Sequence, residues 1–184
     1  MQSKIEIVSS GITDLHTDAV VNAANEGLWE GSGVCGAIFR AAGSRELTRA
    51  CQEIGGCSTG SAVITPAFAL KDAKYIIHAV GPRWSGGQRG EPGLLYSAYI
   101  SSLELAVQHG CRSIGFPLIS AGIFGYPLRG AWQQAIKAYR DFISAHPDIE
   151  LLIRFGVPSE VNRKVGEELL AQWQRNSPDK ILAN

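Results

Sequence analysis

The sequence predicts a single α/β domain built on a mainly parallel sheet flanked by helices. Six short apolar or β-branched runs are spread along the chain, and segments with helical three-to-four spacing lie between them. Several runs, such as Tyr75–Val80 (YIIHAV), are nearly unbroken, as befits strands covered on both faces. The 184 residues, 45% of them hydrophobic, suffice for one core and fall short of two ordinary domains. The domain is expected over residues 1–174, with a polar tail over 175–184.

In chain order, strands are expected at Lys4–Val8 and Ala19–Asn22. Gly36–Gln52 reads as two short helices broken at Gly43-Ser44. Strands follow at Ser61–Thr65 and Tyr75–Val80. After the turn signal Glu91-Pro92-Gly93, the residues Leu95, Ala98, Ser102 and Leu105 line one face of a helix. Ser113–Phe116 is the next strand, and Trp132, Ala135, Tyr139 and Phe142 mark the next helix. Leu151–Phe155 is the last strand, and Val161, Val165 and Leu169 line a final helix after Pro158-Ser159. The one long irregular stretch is Gly81–Gly93, whose Arg83 and Trp84 either cover a ligand or anchor the loop.

Composition narrows the function. Seventeen basic and seventeen acidic side chains cancel, and no basic run stands out, so there is no nucleic-acid footprint. A small anion held by backbone amides would leave no trace in that count. No apolar run approaches the roughly 20 residues that cross a bilayer, and the opening MQSKIEIVSS lacks a signal-peptide stretch. A soluble, cytoplasmic protein without membrane contact is expected. Cys35, Cys51, Cys57 and Cys111 form no CxxC pair and have no histidine at ligand spacing. Neither a metal site nor a disulfide framework is expected, and no cofactor is called for.

Two loops carry the chemistry. The first runs from Asn22-Ala-Ala-Asn25 through Gly31, Gly33 and Gly36; the second is Ser120–Pro127. Each follows a strand, where α/β folds bind ligands, and glycine lets amide groups turn toward a diphosphate. Gly31, Gly33 and Gly36 spell a G-x-G-x-x-G, yet about eight residues separate them from their strand and Glu53 lies in a helical segment. The nicotinamide-dinucleotide fingerprint is therefore not met, and an oxidoreductase ranks last. Asn25 either serves a ligand or forms a turn with its own backbone. Trp29, just ahead of the glycines, is a candidate gate.

The segments VVNAAN, GSGVCGAIFRAAG, GCSTGSAVIT, YIIHAVGP and FPLISAGIFGYP, in that order and spacing, resemble the macrodomain family. They are most similar to its bacterial O-acetyl-ADP-ribose deacetylase and mono-ADP-ribosylhydrolase branch, from roughly Lys4 to Leu170. The resemblance implies a three-layer α/β/α domain around a six-stranded mixed, mostly parallel sheet, with ADP-ribose in a cleft along its top. It implies hydrolysis of ADP-ribosyl esters, with O-acetyl-ADP-ribose or mono-ADP-ribosylated proteins as partners. By position, Asn25 matches the asparagine at the distal ribose. Ser32, Gly33, Val34 and Cys35 would border that ribose and the diphosphate. Ser120, Ala121, Gly122, Ile123 and Phe124 would form the second phosphate loop, and Ile12 and Ala23 would line the adenine side.

Three departures bear on this. Cys35 stands where the hydrolytic branch has an aspartate that activates water, and Phe39 where a histidine is usual; a thiol is a poor base at neutral pH. Gly11 replaces the aspartate that accepts from adenine, with Asp14 three residues on. Phe155-Gly-Val-Pro158 lacks the usual adenine-covering aromatic after the last strand. Cys35 is accordingly a candidate catalytic residue beside Asn25, or an uncharged filler. The alternative to an esterase is a non-catalytic ADP-ribose reader or sink.

Overall fold

The computed structural model describes residues 3–176. Six strands form one sheet: β1 (Lys4–Val8), β2 (Ala19–Ala23), β3 (Ala62–Pro66), β4 (Tyr75–Ala79), β5 (Ser113–Phe116) and β6 (Leu152–Gly156). Five helices accompany them: α1 (Gly33–Ala42), α2 (Ser44–Ile54), α3 (Glu91–Gln108), α4 (Leu128–Ala145) and α5 (Glu160–Arg175). The strand order is β1-β6-β5-β2-β4-β3. Every neighbouring pair is parallel except β3, which runs antiparallel to β4. The expected mixed, mostly parallel sheet is what forms, and every expected strand lies within a residue or two of its place.

Strand alternation deals the side chains to two layers. Val21, Ile77, Ala79, Ile114, Phe116, Ile153 and Phe155 enter the core shared with α3, α4 and α5. Val20, Ile76 and Val80 enter a smaller core with α1, α2 and the 3-10 turn at Ile12–Asp14. Asn22 and His78 follow the second parity and are paired across β2 and β4.

The break at Gly43 is real: φ of 101° there ends α1, and α2 starts at once. The helix α1, however, begins at Gly33 rather than Gly36, so half of the glycine motif is its first turn. The helix α5 reaches Arg175, one residue into the expected tail, whose residues 177–184 lie outside the described ones. Among the described residues no helix is long and apolar enough to cross a membrane.

Candidate functional site

The strands β2 and β5 are parallel neighbours at the middle of the sheet. The chain leaves β2 for α1 on one face and leaves β5 for α4 on the other. Their two exit loops therefore border one crevice at the carboxyl ends of the strands, the place where the winding reverses.

Both loops carry backbone amides with no backbone acceptor among the described residues. On one side, Gly33, Val34 and Cys35 precede the first intrahelical bond, which Gly36 makes to the Ser32 carbonyl at 3.3 Å. Ser32 caps α1 in an extended conformation without using its hydroxyl; Ser32 and Gly33 are exposed, Val34 is half-buried and Cys35 is buried. Gly36 is required by close packing, because a Cβ there would stand 2.6 Å from the Gly31 carbonyl oxygen. On the other side, the amides of Ala121, Gly122, Ile123 and Phe124 donate to no protein backbone acceptor among the described residues. Ser120 holds φ at 66° to start this loop, and its buried hydroxyl has no partner there. A helix N-terminus and a loop with unused amides are each suited to an anionic group.

The second loop is braced from β4. The Trp84 amide donates to the Phe124 carbonyl at 2.8 Å, Arg83 lies over the Phe124 ring at 4.8 Å, and Trp84 packs edge-on against Tyr126. Arg83 and Trp84 thus anchor a loop. The carboxylate of Glu91 holds the same stretch in place by accepting from the amides of Ser85, Gly87 and Arg89 at 2.6–2.9 Å. These bonds keep its pKa down at about 2.

Beneath the first loop runs a buried polar chain. Thr65 and His78 Nε2 are 3.0 Å apart, and Asn22 Nδ2 donates to His78 Nδ1 at 3.1 Å. The same Asn22 amide lies 3.6 Å from Cys35 Sγ, which in turn donates to the Trp29 carbonyl at 3.6 Å. With Nδ1 accepting, the proton of His78 is assigned to Nε2. Burial lowers its pKa to about 4, so the ring is neutral at physiological pH. Neither ring nitrogen is placed to take a proton from Cys35, which removes the histidine base that a cysteine nucleophile requires. Cys51 lies 3.9 Å from His78 Nε2, and burial, with Cys35 nearby, pushes its thiol up to about 11.

Asn25 is occupied locally. Its Oδ1 accepts from the Trp29 amide at 2.9 Å, and its Nδ2 donates to the Trp29 carbonyl at 3.0 Å. The turn-forming reading of this residue is therefore observed, with one Nδ2 hydrogen and one Oδ1 lone pair left over. Asn25 and Cys35 meet on the same carbonyl, whereas Asn22 points into the core.

The remaining candidates are more scattered. Ala23 is half-buried at the end of β2, while Ile12 is 6% exposed and offers the crevice little surface. Asp14 turns back toward Gly11, its Oδ2 4.0 Å from where a Cβ on Gly11 would stand. Phe155 is committed to the core, stacked on Phe116. Phe124 is half-buried and Ile123 is 87% exposed.

The Macro domain family model matches residues 21–135, which include both loops, β5 and the end of β2. The chain belongs to the macrodomain family. An Escherichia fergusonii macrodomain relative named O-acetyl-ADP-ribose deacetylase is 46% identical over 94% of this chain and 98% of its own length. Among solved structures, the Oceanobacillus iheyensis macrodomain with ADP aligns at a TM-score of 0.89 and 35% identity, covering 96% of this chain and 94% of that one. The Trypanosoma brucei macrodomain in complex with ADP-ribose aligns at 0.83 and 38% identity, covering 90% and 68% respectively.

Within this macrodomain, sequence reasoning missed Thr65, Cys51 and Glu91. For Thr65 the available signal was a polar residue in an otherwise apolar strand. For Glu91 it was an acid at the first turn of a helix, directly after a glycine-rich loop.

Proposed function

We propose that this macrodomain binds ADP-ribose across the first turn of α1 and the 120–125 loop, and hydrolyses ADP-ribosyl esters. O-acetyl-ADP-ribose is the first substrate class and mono-ADP-ribosylated protein side chains the second. The observation that carries the reading is the pair of free amide sets on the two loops that leave neighbouring strands at the middle of the sheet. They match a diphosphate in charge, and the relatives named above support the rest of the ligand.

In this reading the amides of Gly33, Val34 and Cys35 and those of the 121–124 stretch hold the diphosphate. Phe124 walls the distal ribose. The unused hydrogen and lone pair of Asn25 orient that ribose and a water. Ile12 and Ala23 flank the adenine side, where Asp14 offers an acceptor in place of the one Gly11 lacks. Ser32, Ser120, Gly122 and Ile123 complete the lining.

A non-catalytic reader or sink is the second reading. It is favoured by Cys35, whose thiol is spent between Asn22 and the Trp29 carbonyl, with no base beside it.

Calorimetric titration with ADP-ribose, with AMP and ribose 5-phosphate as controls, tests binding. A micromolar Kd, about −8 kcal/mol, is expected. Acetate release from O-acetyl-ADP-ribose then separates esterase from reader. Turnover that Asn25→Ala abolishes supports the esterase, and binding without release supports the reader. Cys35→Asp, which sets a carboxylate against the Asn22 amide, is expected to raise turnover about a hundredfold or more. A fall would show that the Trp29 carbonyl repels the new charge and that the thiol is the better fit.

A further inference from the structure

Trp29 is the most exposed aromatic side chain of the described residues, 73% accessible, on a loop that otherwise serves the site. Its backbone is not loose, since its carbonyl takes bonds from both Asn25 and Cys35 and its amide is held by Asn25. One face of the indole lies flat on Gly27. A Cβ at Gly27 would stand 2.5–2.8 Å from three ring atoms, so only glycine leaves room for the ring to settle there. The other face is open to solvent. An indole held outside the core on a fixed mount offers an apolar face and a polar edge to a bound partner.

Charge says what kind of contact. Glu26 and Glu30 flank Trp29 in the chain and are both exposed. Each is held by a neutral hydroxyl: Thr59 donates to Glu26 at 2.6 Å and Ser44 to Glu30 at 2.8 Å. Among the described residues neither forms a salt bridge. Two anchored carboxylates without salt-bridge partners among the described residues, carried on the same loop three residues before and one after an exposed indole, suit a planar cation, which the ring quadrupole and the carboxylates both attract.

We propose that Glu26, Trp29 and Glu30 form a subsite for an arginine side chain of an ADP-ribosylated polypeptide, next to the modified residue. This rests on the proposed function of the cleft and names its polypeptide substrate class: ADP-ribose attached to a segment with an adjacent arginine. The subsite adjoins Asn25 and Cys35 through the Trp29 carbonyl. The group that leaves the ribose and its neighbours in the peptide are the parts of the substrate within its reach.

The test uses three ligands: free ADP-ribose and two synthetic peptides carrying ADP-ribose through a hydrolysis-resistant linkage, identical except for arginine or alanine beside the modified residue. Calorimetric Kd values are measured at low and moderate salt. The arginine peptide is expected to bind about threefold to tenfold more tightly than the alanine peptide. Trp29→Leu, which keeps apolar bulk and loses the π face, brings the two peptides within about twofold of each other. The Glu26→Gln/Glu30→Gln double variant lowers the preference and removes its dependence on salt. Equal binding of the two peptides, or a preference that survives Trp29→Leu, overturns the subsite and leaves the cleft reading standing. Failure of all three ligands to bind overturns the cleft reading and the subsite with it.

Discussion

Against α3, α4 and α5 the sheet packs a dry aromatic core. Trp132, Tyr99, Phe116 and Phe155 are each no more than 1% exposed, and Phe116 stacks on Phe155 with 5.4 Å between ring centres. Against α1 and α2 the same strands offer smaller groups, and in their midst the run of Thr65, His78, Asn22 and Cys35. The first face is held by area, which is insensitive to pH and tolerant of orientation. The second is held partly by bonds that need particular protonation states and particular rotamers, and it is the face directly under α1. Geometry is specified where the ligand loop rests, and bulk stability is supplied from the other side.

The sharpest way to break this division is Trp132→Ala. It empties the aromatic face and removes the indole bond to the Asn162 carbonyl, at an expected cost of about 3–5 kcal/mol in urea unfolding. Next comes pH. His78 has its folded pKa lowered to about 4 from an ordinary value near 6.5, so the unfolded chain binds its proton first. The stability due to the neutral ring is present above about pH 6.5 and is lost as pH falls toward 4, by about 3 kcal/mol in all. Urea midpoints across that window, compared with His78→Gln, isolate the contribution. Glu91 acts in a lower window that meets this one near pH 4: its stabilisation is present above its ordinary value of 4.5 and is lost as pH falls toward 2.

A more local break is Asn22→Leu, which strands the His78 acceptor and removes the amide contact to the Cys35 thiol. About 1–3 kcal/mol of lost stability is expected, together with weakened ADP-ribose binding through α1, and both are read by unfolding and calorimetry. The smallest global effect belongs to Glu91→Gln. Hydrogen exchange at the Ser85, Gly87 and Arg89 amides should accelerate at neutral pH, while the α1–α2 face keeps its protection.

The fold was legible where burial on both faces writes continuous apolar runs, as in Tyr75–Val80, and where glycine punctuates helices, as at Gly43. Strand order and the reversed direction of β3 were not, because a five-residue run of Ala62–Pro66 carries no mark of the neighbour it will choose. The same limit hid the polar chain. Thr65, His78 and Asn22 lie far apart in sequence, and only cross-strand register makes them touch. The two glycine loops were readable because diphosphate cradles need amides and room. The pair of hydrogen bonds between Asn25 and Trp29 was visible only as the general tendency of asparagine to fold turns. The Glu91 anchor was read as punctuation, since its three partners are backbone amides that carry no residue identity.

That pair of hydrogen bonds has a kinetic consequence. The loop carrying Asn25 and Trp29 is latched, to itself and to Cys35 of α1, before any ligand arrives, so association includes no ordering step for it. Changes along this loop that spare the latch should then register in how long the ligand stays. Changes that open the latch, Asn25→Ala first among them, should slow its arrival as well.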